Sequence, residues 1–210
     1  MSTLALDIET PRGAARAHLD APERPAAALV LGHGAGGGVE APDLLAARDA
    51  ALSEGVTVAL IEQPYRVAGR RSPPSAKILD EAWVAVIEQL RANELADLPL
   101  IAGGRSMGAR VACRTAADVG AVAVLCLAFP LEPPSRAGKP PQSRLDELDA
   151  VNLPTLVVQG DRDRFGMPPP SASREVATVP GDHGLKADLD AVADAVRGWL
   201  PGIVKAPAHS

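Results

Sequence analysis

The chain has 210 residues, enough to bury the core of one domain, and its 47% apolar and 22% charged content is that of a globular protein rather than a disordered one. A formal charge of -5 and an aromatic content of only 2% argue against a basic nucleic-acid or anionic-membrane surface and leave few rings for bases to stack on. The longest apolar run, residues 121–129, is far short of the roughly 20 residues that cross a bilayer.

The first ten residues carry Asp7 and Glu9 where a secretory signal needs a positive segment followed by an apolar one, which predicts a cytoplasmic protein. Buried-strand runs then alternate with helical stretches. Residues 26–31 read as a strand, 42–53 as a helix with Pro42 in its first turn, 56–61 as a strand and 75–93 as a helix. Strand 98–103 leads into a turn at Ser106 and a helix over 109–117, followed by strands at 121–128 and 154–159. After a short apolar segment at 176–179, an amphipathic helix over 185–200 is expected to stop at Pro201 and Gly202, with a frayed tail at 203–210. Pro130, Pro133, Pro134, Pro140 and Pro141 make the 130–143 stretch incompatible with a helical lid. This alternation predicts a single α/β domain spanning 1–210, with a mainly parallel sheet, helices on both faces and no substantial lid. Cys113 and Cys126 fall inside predicted core elements, without metal or redox spacing, and read as reduced buried thiols.

Gly104, Arg105, Ser106, Met107 and Gly108 form Gly-x-Ser-x-Gly where a strand gives way to a helix. A sharp turn there exposes the serine hydroxyl in a strained backbone, and the glycines two residues on either side let strand and helix pass closely. The hydroxyl is a weak nucleophile unless an imidazole takes its proton and a carboxylate fixes that imidazole. Of four histidines, His18 lies in the N-terminal segment, His209 is penultimate, and His33 sits in a glycine loop ahead of the serine. His183, in a loop before the last helix, is the candidate base. Asp161 and Asp163, directly after the strand at 154–159, are both candidate acids, and the order Ser, Asp, His suits an α/β-hydrolase sheet. Oxyanion donors are expected from the amide of Met107 and from the glycine loop at 32–38, with Ala35 the candidate. His33 then orients that loop.

His33-Gly-Ala-Gly-Gly, Tyr65-Arg66 with Gly69, Arg70 and Arg71, Gly103-Gly-Arg-Ser-Met-Gly, Phe129-Pro-Leu, Gln159-Gly-Asp-Arg-Asp-Arg-Phe-Gly and Gly181-Asp-His extend over nearly the whole chain from about residue 26. On these pieces the chain resembles small α/β-hydrolase-fold proteins of the dienelactone-hydrolase-like kind, compact hydrolases with relatives among eukaryotic chromatin-associated proteins. The family pattern places the acid three residues after the strand-ending glycine, so the resemblance selects Asp163 from Gly160. It implies a serine hydrolase acting on a carboxylic ester or thioester of a small substrate through Ser106, Asp163 and His183, with no metal or cofactor required.

Two other functions fit parts of the chain. Gly32-x-Gly34-x-x-Gly37 after a strand, with Glu62 ending the next, imitates a dinucleotide-binding fingerprint, although Glu40, Pro42 and Asp43 place negative charge and a displaced helix start where a pyrophosphate would sit. A non-catalytic hydrolase-fold binding module is the other, though it has no need of nucleophile, base and acid together. Arg66, Arg70, Arg71 and Arg105 are candidates for binding an anionic substrate group, or else solvated salt-bridge partners, and His33 is a further candidate for touching the substrate. Trp83 and Trp199 read as helix packing residues.

Overall fold

A computed structural model describes residues 3–134 and 142–204. Its centre is an eight-stranded sheet in the order β1-β2-β4-β3-β5-β6-β7-β8. The strands are β1 (Leu4–Thr10), β2 (Gly13–Asp20), β3 (Ala27–Gly32), β4 (Val56–Glu62), β5 (Leu100–Arg105), β6 (Ala123–Leu127), β7 (Thr155–Gly160) and β8 (Arg174–Val179). From β4 to β8 all neighbours are parallel, while β2 joins β4 and β1 in antiparallel pairs. The helices are α1 (Pro42–Ser53), α2 (Pro64–Val67), α3 (Ala76–Ala92), α4 (Met107–Thr115), α5 (Leu145–Asp149) and α6 (Leu189–Val204).

Side-chain alternation along the strands feeds two cores. In β3, Ala28 and Val30 face the side covered by α3 and α4, with Trp83, Val86 and Ile87 above them. Ala27, Leu29 and Leu31 face α1 and α6, meeting Leu44, Ala47, Val192 and Val196. A strand covered on both faces buries every residue, so it reads in sequence as an apolar run, and each fully buried Leu, Ile or Val contributes roughly 1.5–3 kcal/mol. Trp83 is buried as expected, and Trp199 packs partly buried against the second core.

The structure departs from the sequence expectations at both ends. The antiparallel hairpin β1–β2 was not read from the sequence: β2 does alternate, but its buried apolar members are Ala15, Ala17 and Leu19, and alanine is a poor strand former. The last helix begins at Leu189 rather than 185, because Asp188 Oδ1 accepts the Ala191 amide (2.9 Å) as an N-cap, while Leu185 stands at φ 49° and is buried. The same helix continues through Pro201 to Val204 instead of stopping there, since Ile203 and Val204 pack on the second core and offset the donor that Pro201 lacks. The expected frayed tail is therefore helical at 203 and 204, and residues 205–210, with His209, lie outside the described residues. So do residues 135–141 of the proline-rich stretch; the described parts on either side, 130–134 and 142–143, contain no helix, and the short α5 follows. Among the described residues no helix is long and apolar enough to cross a membrane.

Candidate active site

Ser106 lies between β5 and α4 at φ 53° and ψ -106°, a conformation that costs a non-glycine residue on the order of 1–3 kcal/mol. Its amide donates to Leu127 O (2.9 Å), which ties the turn to β6. The flanking glycines are required by contact. A Cβ on Gly104 would sit 2.6 Å from Gly108 C and 2.7 Å from Gly32 O, and one on Gly108 would press onto the carbonyl of Gly32. The elbow is thus a three-way backbone contact of β3, β5 and α4.

The loops after β7 and β8 bring two more side chains to the same edge. His183 Nε2 lies 2.9 Å from Ser106 Oγ, and His183 Nδ1 lies 2.8 Å from Asp163 Oδ2. With a carboxylate at Nδ1, that nitrogen carries the proton and Nε2 is left as the acceptor facing the hydroxyl. Asp163 is fixed in turn: Gln159 Nε2 donates to its Oδ2 (2.9 Å) and the Phe165 amide to its Oδ1 (2.9 Å). The Phe165 ring meets the His183 ring edge-on at 4.4 Å. Asp161 has a different task. Its Oδ1 accepts the Gly181 amide (2.8 Å), stitching the β7 loop to the loop that carries His183.

The glycine loop after β3 is anchored from below. Buried His33 accepts the Gln63 amide at Nε2 (3.2 Å), so its Nδ1–H donates to Gly34 O (2.8 Å). Burial holds this imidazole below its ordinary pKa, and it stays neutral. Tyr65 Oη donates to Ala35 O (3.0 Å), and burial raises its pKa. The Ala35 amide makes no backbone hydrogen bond among the described residues, and Met107, as the first residue of α4, has an amide without an intrahelical acceptor. Both residues line the cleft that Ser106 opens into.

That cleft, of about 340 Å³, has apolar walls from Leu79, Met107, Phe165 and several prolines, and Arg110, Arg114 and Arg144 also line it. The arginines considered for an anionic substrate group or for salt bridges lie elsewhere. Arg105 Nε pairs with fully buried Asp43 (2.8 Å) and its Nη2 donates to His183 O (3.0 Å), so it braces the histidine loop. Burial pushes the Asp43 carboxyl up and Arg105 pulls it back only in part. Arg66 lines a separate polar cleft with Gly36, Gly37, Gly38, Glu62 and Lys186. Exposed Arg70 and buried His33 do not line the Ser106 cleft either. A dinucleotide reading of the glycine loop also fails on this geometry: a Cβ on Gly34 would meet Arg105 and Ser106, so the loop is packed against the serine turn. The α1 start carries the Asp43 carboxylate rather than space for a phosphate.

A family model described as an alpha/beta hydrolase domain matches residues 25–188. The chain belongs to that alpha/beta hydrolase family. The sheet order and the strand-turn-helix at Ser106 are this hydrolase's expression of the fold. Among solved structures it is similar to an α/β serine hydrolase without lid from Xanthomonas campestris (TM-score 0.78, 20% identity, covering 100% of this chain and 98% of that one). Est1E from Butyrivibrio proteoclasticus matches at TM-score 0.73 and 19% identity (95% and 98% covered). A dienelactone hydrolase from Anabaena variabilis matches at 0.74 and 18% (96% and 98% covered). No curated protein sequence matches.

Gln159, Asp43 and the three cleft arginines were not read from the sequence as site residues. Arg110 and Arg114 had a signal, since they follow Ser106 by four and eight residues and so share its face of α4. Asp43 acts through a long-range contact with Arg105, and Gln159 acts on Asp163, four residues on, through a turn that no residue pattern announces.

Proposed function

We propose that this hydrolase cleaves a carboxylic ester or thioester of a small substrate through an acyl-enzyme on Ser106. The observation that carries this reading is the unbroken hydrogen-bonded line from Ser106 Oγ through His183 to Asp163, starting at a strained turn. His183 Nε2 takes the hydroxyl proton as Oγ attacks the acyl carbon. The tetrahedral oxyanion is held by the amides of Met107 and Ala35, at the positive end of α4. Imidazolium then returns its proton to the departing alcohol or thiol, and a water deprotonated by the same nitrogen releases the acid. Asp163 holds the tautomer and stabilises the cation, with Gln159 and the Phe165 amide keeping its carboxylate in place.

The reading is tested by p-nitrophenyl acetate hydrolysis. Ser106→Ala and Asp163→Asn are expected to lower kcat by about 10³-fold or more, whereas Asp161→Asn, which loses only a loop stitch, lowers it less than about 10-fold. Full activity in Ser106→Ala, or a larger loss in Asp161→Asn than in Asp163→Asn, overturns it.

A further inference from the structure

The cleft beside Ser106 is apolar on one side and cationic on the other, and its charges do not balance. Arg110, Arg114 and Arg144 contribute three guanidinium groups to its lining. Arg110 pairs with Glu147 through Nε (2.8 Å) and Nη2. Arg114 pairs with Asp80 through Nε (2.8 Å) and Nη2 (2.6 Å), with Glu147 at 3.4 Å. Two carboxylates are thereby engaged by two of the arginines. Among the described residues Arg144, half-buried, has no ion pair, and the one hydrogen bond its guanidinium makes there is to Pro130 O (3.0 Å). Glu132 is exposed, and residues 135–141 contain no carboxylate side chain that could complete the pairing. A half-buried arginine without an ion pair, lining a cleft beside two others, is suited to bind an anionic group.

We propose that Arg144 binds a carboxylate at the far end of the acyl group, making this a hydrolase of monoanionic esters or thioesters, such as half-esters of short dicarboxylic acids. The prolines, Leu79 and Phe165 then cover the methylene or ring portion between the reacting carbonyl at Ser106 and the carboxylate at Arg144. Arg110 and Arg114 add positive potential, while their own carboxylate partners leave room for one further negative charge only. This places Arg144 in specificity, and it rests on the acyl-enzyme reading for its substrate class.

The test compares p-nitrophenyl half-esters of succinate, glutarate and adipate with p-nitrophenyl butyrate. At least one half-ester is expected to exceed butyrate in kcat/KM by about 10- to 100-fold, the range for a charge-assisted hydrogen bond. Arg144→Gln is expected to remove most of that ratio, chiefly through KM, and Arg144→Lys to restore part of it. Should Arg144→Gln fold poorly, binding of monomethyl glutarate and of methyl pentanoate to Ser106→Ala decides, with the anion expected to bind at least 10-fold tighter. A preference for butyrate, a ratio unchanged in Arg144→Gln, or equal binding of the two methyl esters overturns the proposal. Hydrolysis surviving in Ser106→Ala would instead overturn the acyl-enzyme reading, because the binding arm needs no turnover.

Discussion

Replacing Gly108 by alanine places a methyl group where α4 and β3 touch backbone to backbone. The new Cβ would press onto Gly32 O, 2.5 Å from Gly32 C and 3.0 Å from Gly32 Cα, with no flexible side chain able to give way. Two effects oppose each other. Alanine is favoured over glycine in a helix by about 1 kcal/mol, whereas overpacking typically costs about 1–3 kcal/mol and stands at the upper end when backbone must move. The clash wins by about 2 kcal/mol, and for a chain of this size that lowers Tm by roughly 4–8 °C. Gly198 in α6 is the control: it has open space around its Cβ position, so the same substitution is expected to raise Tm by roughly 2–4 °C. Thermal melts of the two variants beside wild type measure both signs. A Gly108→Ala protein as stable as wild type would refute the close-contact account of the elbow.

Tyr65→Phe deletes the hydrogen bond to Ala35 O and is expected to cost about 0.5–1.5 kcal/mol of stability, with kcat for p-nitrophenyl acetate falling and KM little changed; unchanged kcat would remove Tyr65 from loop positioning. The depressed pKa of His33 means that below about pH 6.5 the unfolded chain gains a proton that the folded one refuses, so its contribution is complete above that pH and lost as pH falls, by at most about 1.4 kcal/mol per unit. Urea unfolding between pH 5 and 6.5 is expected to show a shallower decline in His33→Gln, and an identical slope would contradict it. Arg105→Met leaves Asp43 buried without its cation and is expected to cost about 3–5 kcal/mol, part of which returns in the double variant with Asp43→Asn; additive losses in the urea melts would refute the pairing.

The central strands β3 to β7 were legible because burial on both faces turns each into an apolar run, and the Gly-x-Ser-x-Gly turn because only glycine fits its contacts. Ser106, Asp163 and His183 could be nominated from residue type and chain order, and the structure brings them within hydrogen-bond distance. Spacing alone left Asp161 and Asp163 open. What separates them is three-dimensional, one carboxylate reaching an imidazole and the other a backbone amide across two loops. The arginines show the limit most clearly. Arg105 stands beside the serine in sequence, yet its side chain turns to Asp43, while Arg144, 38 positions away, lines the cleft. Charge location depends on which partners are buried nearby, and that is settled only by packing. The alanine-rich β2 was lost for a similar reason, its strand conformation being imposed by pairing with β4 rather than by propensity.

In the proposed mechanism His183 makes the hydroxyl at position 106 nucleophilic. Treating the protein with a fluorophosphonate and mapping the adduct by peptide mass spectrometry tests it most directly. A single adduct on Ser106 in wild type, none in Ser106→Ala and strongly slowed labelling in His183→Ala are predicted. Equal labelling of wild type and Ser106→Ala, or none of either, would contradict it.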